Sequence, residues 1–340
     1  ETGRMAGTST GAGTPATDPE GSPSPASPER TGARRREWLL ALGVALVFIA
    51  VGIGGVSRYV QGFSLYRGFA PPRAAAFVHQ HGSEQSFSFR SPATGGRMQN
   101  VLVYLPPGYA AHPTQRYPVF YLLHGVPGHG STYLLTGRMG VWADTLYAQH
   151  KTAGIILVMP SGPTSSFADT EWANGIGPGQ AWETFVARDL VQAVDARYRT
   201  IPSPQARAIG GLSEGGYGAF NIALHNPGVF GVVESWSGYA LADNIPSIFG
   251  RRPALLAYNS PMRYLPRVAA TLRRRRTYFW FYVGSSDPLL SQNRAFAAEL
   301  ARLGIDHHFF VVSGGHTWRL WRAHTYEALS VAVRRLTGGR

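Results

Sequence analysis

A chain of 340 residues with 44% hydrophobic content is long enough for one large α/β domain with appendages. Its formal charge of +13 comes almost wholly from arginine, since Lys151 is the only lysine. No basic stripe interleaved with aromatics accompanies that charge, so nucleic acid is not an expected partner. The absence of cysteine excludes disulfides, thiolate chemistry and cysteine-type zinc sites.

Residues 1–33 are rich in Gly, Ser, Thr, Pro and Ala, a composition that cannot bury enough surface to offset its ordering entropy, and a disordered arm is expected. Trp38 to Val56 then run for 19 residues without a charge, preceded by Arg34, Arg35 and Arg36. A helix of that length nearly spans a hydrocarbon layer of about 30 Å. The expectation is therefore a single transmembrane anchor at 34–58, spanning through 38–56. The N-terminus would be cytoplasmic and the rest outside, because arginine-rich flanks stay inside. No small-x-small cleavage site follows, which favours an uncleaved anchor over a signal peptide. A linker at 59–79 leads to a catalytic domain at 80–340.

From about Gln80 the pattern is α/β. "SFSFRS" alternates like an edge strand, and "NVLVYLPPGY" is a strand stopped by Pro106 and Pro107. "YPVFYLLHG" and "GIILVMPSG" are continuous apolar runs ending in glycine, as buried parallel strands are. "AWETFVARDLVQAVDARY" has helical periodicity. "ARAIGGLS", "VFGVVESWSG", "TYFWFYVGSSD" and "HHFFVVSGG" are further strands, with "SQNRAFAAELARLG" as a helix and another from about Trp318. Strand and helix alternate, which predicts a mostly parallel sheet with helices on both faces. Leu241 to Leu272 are long enough for an apolar cap, and Arg273–Arg276 read as a solvated approach to the next strand or an acidic-headgroup contact.

Gly211-Leu212-Ser213-Glu214-Gly215 fits G-x-S-x-G between a strand and a helix, the setting of a nucleophile elbow. The plain alternative is a glycine-rich turn that happens to hold a serine. A nucleophilic serine needs a base and the base an orienting acid, in the chain order Ser, Asp or Glu, His. Among the downstream histidines, His225 and His324 lie inside helices, and His307 and His308 open a strand at the wrong end. His316 sits just past the last strand, where ligands collect in such sheets. Asp287 occupies the equivalent place after the preceding strand, with a helix N-cap as its alternative role and Asp243 as the alternative acid. The oxyanion hole is expected from the backbone N–H groups of Glu214 and Val126. His124 and His129 lack a third ligand nearby, so no metal and no cofactor are expected.

Together "VLVYLPPGY", "YPVFYLLHG", "WETFVARDL", "GGLSEGGYGAFNIALHNPGVFGVVESWSG", "GSSDPLLSQNRAFAAELARLGI" and "GGHTW" resemble the esterase D-like branch of the α/β-hydrolases. That branch includes feruloyl esterases, S-formylglutathione hydrolase and envelope mycolyltransferases. The resemblance covers about Ser83 to Thr337. It implies the α/β-hydrolase fold, Ser213 as nucleophile, Asp287 as acid, His316 as base, and Val126 and Glu214 as oxyanion donors. "SGPTSSFADTEWANG" is similar to the mycolyltransferase loop before "WETF". His124 stands where mycolyltransferases carry an aspartate that contacts their sugar acceptor, a departure that favours hydrolysis. The expected function is that of a membrane-anchored serine esterase acting on a small-molecule or lipid ester, such as a cell-envelope ester. Its alternatives are an acyltransferase and a non-catalytic envelope-binding protein. The oligomeric state is not legible.

Overall fold

The computed structural model describes residues 28–163, 168–243 and 245–337. Most of the expected N-terminal arm, and residues 164–167 of the loop before "WETF", lie outside the described residues. The chain divides into two compact units, Glu1–Tyr59 and Val60–Arg340.

Helix α1, Pro28–Tyr66, begins inside the segment expected as an arm and ends eight residues beyond the expected anchor. Pro28 at the first helical position and Glu29 beside it suit a helix start. Leu40, Phe48 and Val51 on this helix are exposed. Among the described residues no helix is long and apolar enough to cross a membrane, so the anchor expected at 38–56 lacks support from the fold.

The second unit is built on an eight-stranded sheet in the order β1-β2-β4-β3-β5-β6-β7-β8. The strands are β1 Ser83–Ser91, β2 Arg97–Leu105, β3 Val119–Leu123, β4 Ile156–Pro160, β5 Arg207–Leu212, β6 Val232–Trp236, β7 Tyr278–Gly284 and β8 His307–Val312. β1 and β2 are antiparallel to their neighbours, and β3 to β8 are parallel. The central runs VFYLL, ILVMP and YFWFYVG are buried along their whole length. That is the demand of a parallel sheet covered on both faces. β8, at the edge, is only half-buried.

Two apolar clusters form the layers. One gathers Phe185, Leu190, Phe220 and Phe296 against one face, and the other gathers Tyr133, Leu146, Trp321 and Leu329 against the opposite face. The principal helices after α1 are α2 Met139–Ala148, α3 Glu214–His225, α4 Pro261–Arg275, α5 Leu290–Arg302 and α6 Trp318–Thr337. The "WETF" helix is wound as a π-helix over Phe185–Leu190. The segment expected as a cap folds into Pro246–Phe249, Pro253–Tyr258 and α4, each started by a proline in its first turn. Its hydrogen bonds tie it to Ile176, Tyr217 and His225.

The register fixes one edge. Leu123 of β3 lies opposite Gly211 of β5, Leu212 opposite Trp236 of β6, Trp236 opposite Tyr282 of β7, and Gly284 opposite Val312 of β8. The loops leaving these strands therefore meet along the C-terminal edge of the sheet.

Candidate active site

Ser213 is the single residue between β5 and α3, with φ 54° and ψ −122°. A non-glycine residue with positive φ is strained by about 1–3 kcal/mol and persists only where its surroundings over-determine it. Here Ser213 N donates to Trp236 O at 3.0 Å, and Gly216 N and Tyr217 N both donate to Ser213 O. The flanking glycines are explained by close approach. A Cβ on Gly215 would lie 1.9 Å from Leu123 O, and one on Gly211 would lie 2.3 Å from the same oxygen. The end of β3 can press against the elbow only because those side chains are missing.

Asp287 follows β7 and His316 follows β8. His316 Nε2 lies 2.8 Å from Ser213 Oγ, and His316 Nδ1 lies 2.9 Å from Asp287 Oδ2. The Asp287 side chain is fully buried, whereas the His316 ring is 29% exposed. Burial alone would push the Asp287 carboxyl up. The bond from His316 and the Leu289 N–H at 3.0 Å from Oδ1 outweigh it and hold the group below the usual carboxylate range. An ionised Asp287 requires Nδ1 to carry its proton, which leaves Nε2 free to accept one from Ser213.

The structure thus brings Ser213, His316 and Asp287 together, and it leaves the alternatives elsewhere. Asp243 makes no described hydrogen bond to His316. His225 faces Glu183 Oε2 at 2.7 Å and is sandwiched between Tyr258 and Tyr264. His307 faces Ile305 O, and His324 faces Glu327.

The two backbone groups named for the oxyanion lie in the loop after β3 and at the start of α3. Val126 is in the loop leaving β3 and is partly exposed. Glu214 opens α3, so its N–H belongs to the turn that has no intrahelical acceptor and carries the positive end of the helix dipole. Neither N–H donates to another described turn or loop carbonyl.

The Glu214 side chain, by contrast, is buried away from the serine. Thr170 N and Thr170 Oγ1 donate to Oε1 at 3.2 and 3.0 Å, and Oε2 has no described partner. Burial, reinforced by Asp169, pushes this carboxyl up to about 8 against the pull of the Thr170 donors. A proton on Oε2 at neutral pH agrees with that oxygen's lack of a donor.

His124 and His129 do not converge. The His124 nitrogens face Gly125 O at 3.0 Å and Ser161 O at 3.1 Å, and His129 Nδ1 faces Ser131 Oγ. Burial lowers the His124 pKa. Its ring instead fixes the start of the loop after β3, and the Trp172 Nε1 donor holds His124 O at 2.9 Å.

Several residues that shape the site carry no sequence motif. Ser237, also with positive φ, donates its N–H to Tyr282 O, and Asn293 Nδ2 donates to Gly238 O at 2.7 Å. Trp321 stands edge-on to His316 with ring centres 4.9 Å apart. A cavity of about 890 Å³ opens elsewhere, beside the N-terminal ends of β6 and β7 among Arg274, Arg275, Arg276, Arg334 and Arg335.

The Esterase family profile matches residues 91–331. The chain belongs to that family. An esterase of Mycobacterium tuberculosis is 28% identical in an alignment of 263 positions that covers 68% of this chain and 55% of that protein. The Mycobacterium leprae protein described as a diacylglycerol acyltransferase/mycolyltransferase, Ag85A, is 26% identical over 329 residues, covering 85% of this chain and 90% of the other. Among solved structures, a ferulic acid esterase superposes with a TM-score of 0.67 at 25% identity, covering 76% of this chain and all of that one. The chain spans about half the length of the first curated relatives it matches. The α/β-hydrolase-like fold with a mostly parallel eight-stranded sheet is common ground with these structures.

Proposed function

We propose that this chain is a serine esterase that cleaves carboxylic esters through an acyl-enzyme. The observation that carries the proposal is the continuous hydrogen-bonded chain from Ser213 through His316 to Asp287 at the C-terminal edge of the sheet. Ser213 Oγ attacks the ester carbonyl carbon while His316 Nε2 takes its proton. Charge develops on the carbonyl oxygen between the N–H groups of Val126 and Glu214, where the α3 N-terminus also favours it. The carbon–oxygen ester bond breaks, and the alcohol leaves with the proton from Nε2. Water then attacks the acyl carbon, returns a proton to Nε2, and the acid departs as Ser213 is regenerated. Asp287 stays ionised and orients the ring throughout.

Residues 38–56 are proposed to anchor the chain in a membrane with the N-terminus cytoplasmic. Support comes from the 19 uncharged residues, the arginines before them and the exposed apolar side chains of α1. That placement makes lipid or cell-envelope esters the proposed substrates. A second reading, acyl transfer to a sugar or lipid hydroxyl, is favoured by the near-complete coverage of the mycolyltransferase relative. It uses the same acyl-enzyme with a hydroxyl in place of water.

The test is active-site labelling. A fluorophosphonate should modify the wild-type chain at Ser213 and leave Ser213→Ala unlabelled. Wild-type chain that is folded yet unlabelled, and inactive on nitrophenyl esters, would remove the esterase reading in favour of a binding protein. Product analysis with added trehalose or glycerol separates hydrolysis from transfer.

A further inference from the structure

The segment that follows α1 belongs to the same compact unit as the triad and runs to its edge. Thr136 Oγ1 donates to Leu65 O at 3.3 Å. Arg322 Nη2 donates to Ala70 O at 3.3 Å, and the Arg322 guanidinium lies 4.8 Å from the Phe69 ring centre. Arg138 Nη2 reaches Arg73 O at 3.2 Å. Residues 65–73 are thus strapped across the start of α6 and the turn before α2.

Arg67 is the strap residue nearest the chemistry. Its Nη2 donates to Pro127 O at 3.1 Å, one residue beyond the proposed oxyanion donor Val126. Among the described residues, no other hydrogen bond is made by Val126 or Pro127. The same guanidinium lies 5.8 Å from the ring centre of Trp318, which packs edge-on to Trp321, which packs edge-on to His316. Arg67 Nε is buried with no partner among the described residues, and the backbone adopts φ 51°. Arg67 is partly buried, and its bond to Pro127 O lies at an exposed position. One side chain therefore touches both halves of the centre: the loop that supplies an oxyanion donor and the aromatic pair behind the base.

We propose that Arg67 is a positioning residue for the esterase reaction, acting by holding the Val126–Pro127 segment at the distance the oxyanion requires. This rests on the reading of Ser213 as nucleophile. It also assigns the strap to the active centre, so a chain cut after Arg67 would be a poorer catalyst than one that keeps it.

The experiment uses the full chain in detergent, with Arg67→Ala, Arg67→Lys and Arg322→Gln. Kinetics on nitrophenyl acetate are paired with inhibition by a simple boronic acid, whose tetrahedral anion occupies the oxyanion hole. Removing an oxyanion donor costs about 10²–10³-fold, so a residue acting through that donor should cost about tenfold in kcat with KM little changed. Boronate affinity should weaken by a similar factor in Arg67→Ala and recover in part in Arg67→Lys, whose ammonium can still donate to Pro127 O. Arg322→Gln, which loosens the strap from α6, should move both quantities the same way by less. Fluorophosphonate should still label every folded variant to completion, only more slowly. The proposal is overturned if kcat and boronate affinity of Arg67→Ala stay within twofold of wild type, or if both fall only in proportion to lost folded protein. Should Arg67→Ala fail to fold, the lysine and Arg322 variants decide by the same paired readout. Failure of the wild-type chain to label would instead strike the reading of Ser213.

Discussion

The two edges of the central sheet differ in what the helices bring to them. At the C-terminal edge of the strands α3 starts, and its free N–H groups face the place where the elbow holds Ser213. At the N-terminal edge α4 and α6 end, and their last turns carry Arg273, Arg274 and Arg275, and Arg334 and Arg335. A helix end that is partially positive suits a developing oxyanion, and a helix end that is partially negative suits cations. The difference teaches that the composition of a charged patch follows helix direction as well as ligand chemistry. One edge is strained and glycine-dependent at its elbow. The other opens into a wide, arginine-lined cavity.

The largest effect that would break this contrast is at Ser213. Ser213→Ala should lower kcat/KM on a nitrophenyl ester by about 10³-fold or more while leaving the unfolding midpoint close to wild type. His316→Ala should lose a comparable factor because the members act as a unit. Asp287→Asn should lose somewhat less or the same, about 10²-fold or more. If Asp243→Asn cost more than Asp287→Asn, the acid would be misassigned.

The next effect is on stability. Gly215→Ala places a methyl where Leu123 O already stands, so β3 or α3 must move. A loss of about 2 kcal/mol or more in denaturant unfolding is expected, with activity lost alongside. A folded, active Gly215→Ala would show that the elbow has more room than its backbone implies.

These consequences were legible to unequal degrees. The central strands could be read because parallel strands buried on both faces are continuous apolar runs, the edge strand β1 because its apolar residues alternate, and the glycine spacing betrayed the elbow. Ser213, Asp287 and His316 were each locatable as residues just past a strand end. The short helix Thr132–Leu135 and α2 were not read, since their residues follow a glycine-rich loop and lack a clean apolar period. Arg67 was invisible for a different reason. Its partners, Pro127 and Trp318, are 60 and 251 positions away, and nothing local marks an arginine among many as a tertiary contact.

A subtler difference concerns pH. Glu214 has its carboxyl raised to about 8 by burial, with Asp169 adding to it, against an ordinary value of 4.5. Between those values the folded state binds a proton that the unfolded state has released, so unfolding free energy falls as pH rises from about 4.5 to 8. This contribution is complete below the ordinary value and is lost as pH passes through about 8. Glu214→Gln keeps the backbone N–H and offers Thr170 the same carbonyl acceptor. Urea unfolding at pH 5.5 and 8 should show a smaller difference for the glutamine variant than for wild type, with the gain at pH 8. An unchanged pH slope would mean that Glu214 is ionised at neutral pH.

The smallest effect belongs to the arginine-bearing edge. Among the described residues lining its cavity there is no carboxylate, and only Arg335 has an acidic partner, Asp306 at 3.3 Å. Exposed like charges repel weakly across water, and salt screens them within about 10 Å at 0.1 M. Replacing Arg274 and Arg334 together by glutamine should therefore leave esterase turnover within about twofold of wild type. In low salt it should raise the unfolding midpoint by roughly 1–2 °C, and in high salt the gain should vanish. This gain expects repulsion among the clustered arginines to exceed the attraction that two of them feel for the helix C-termini, at an edge that touches no catalytic group. A drop in turnover comparable to that of Asp287→Asn would erase the functional difference between the two edges. A fall in the midpoint at every salt concentration would mean that the two arginines hold the fold through contacts rather than merely crowding it.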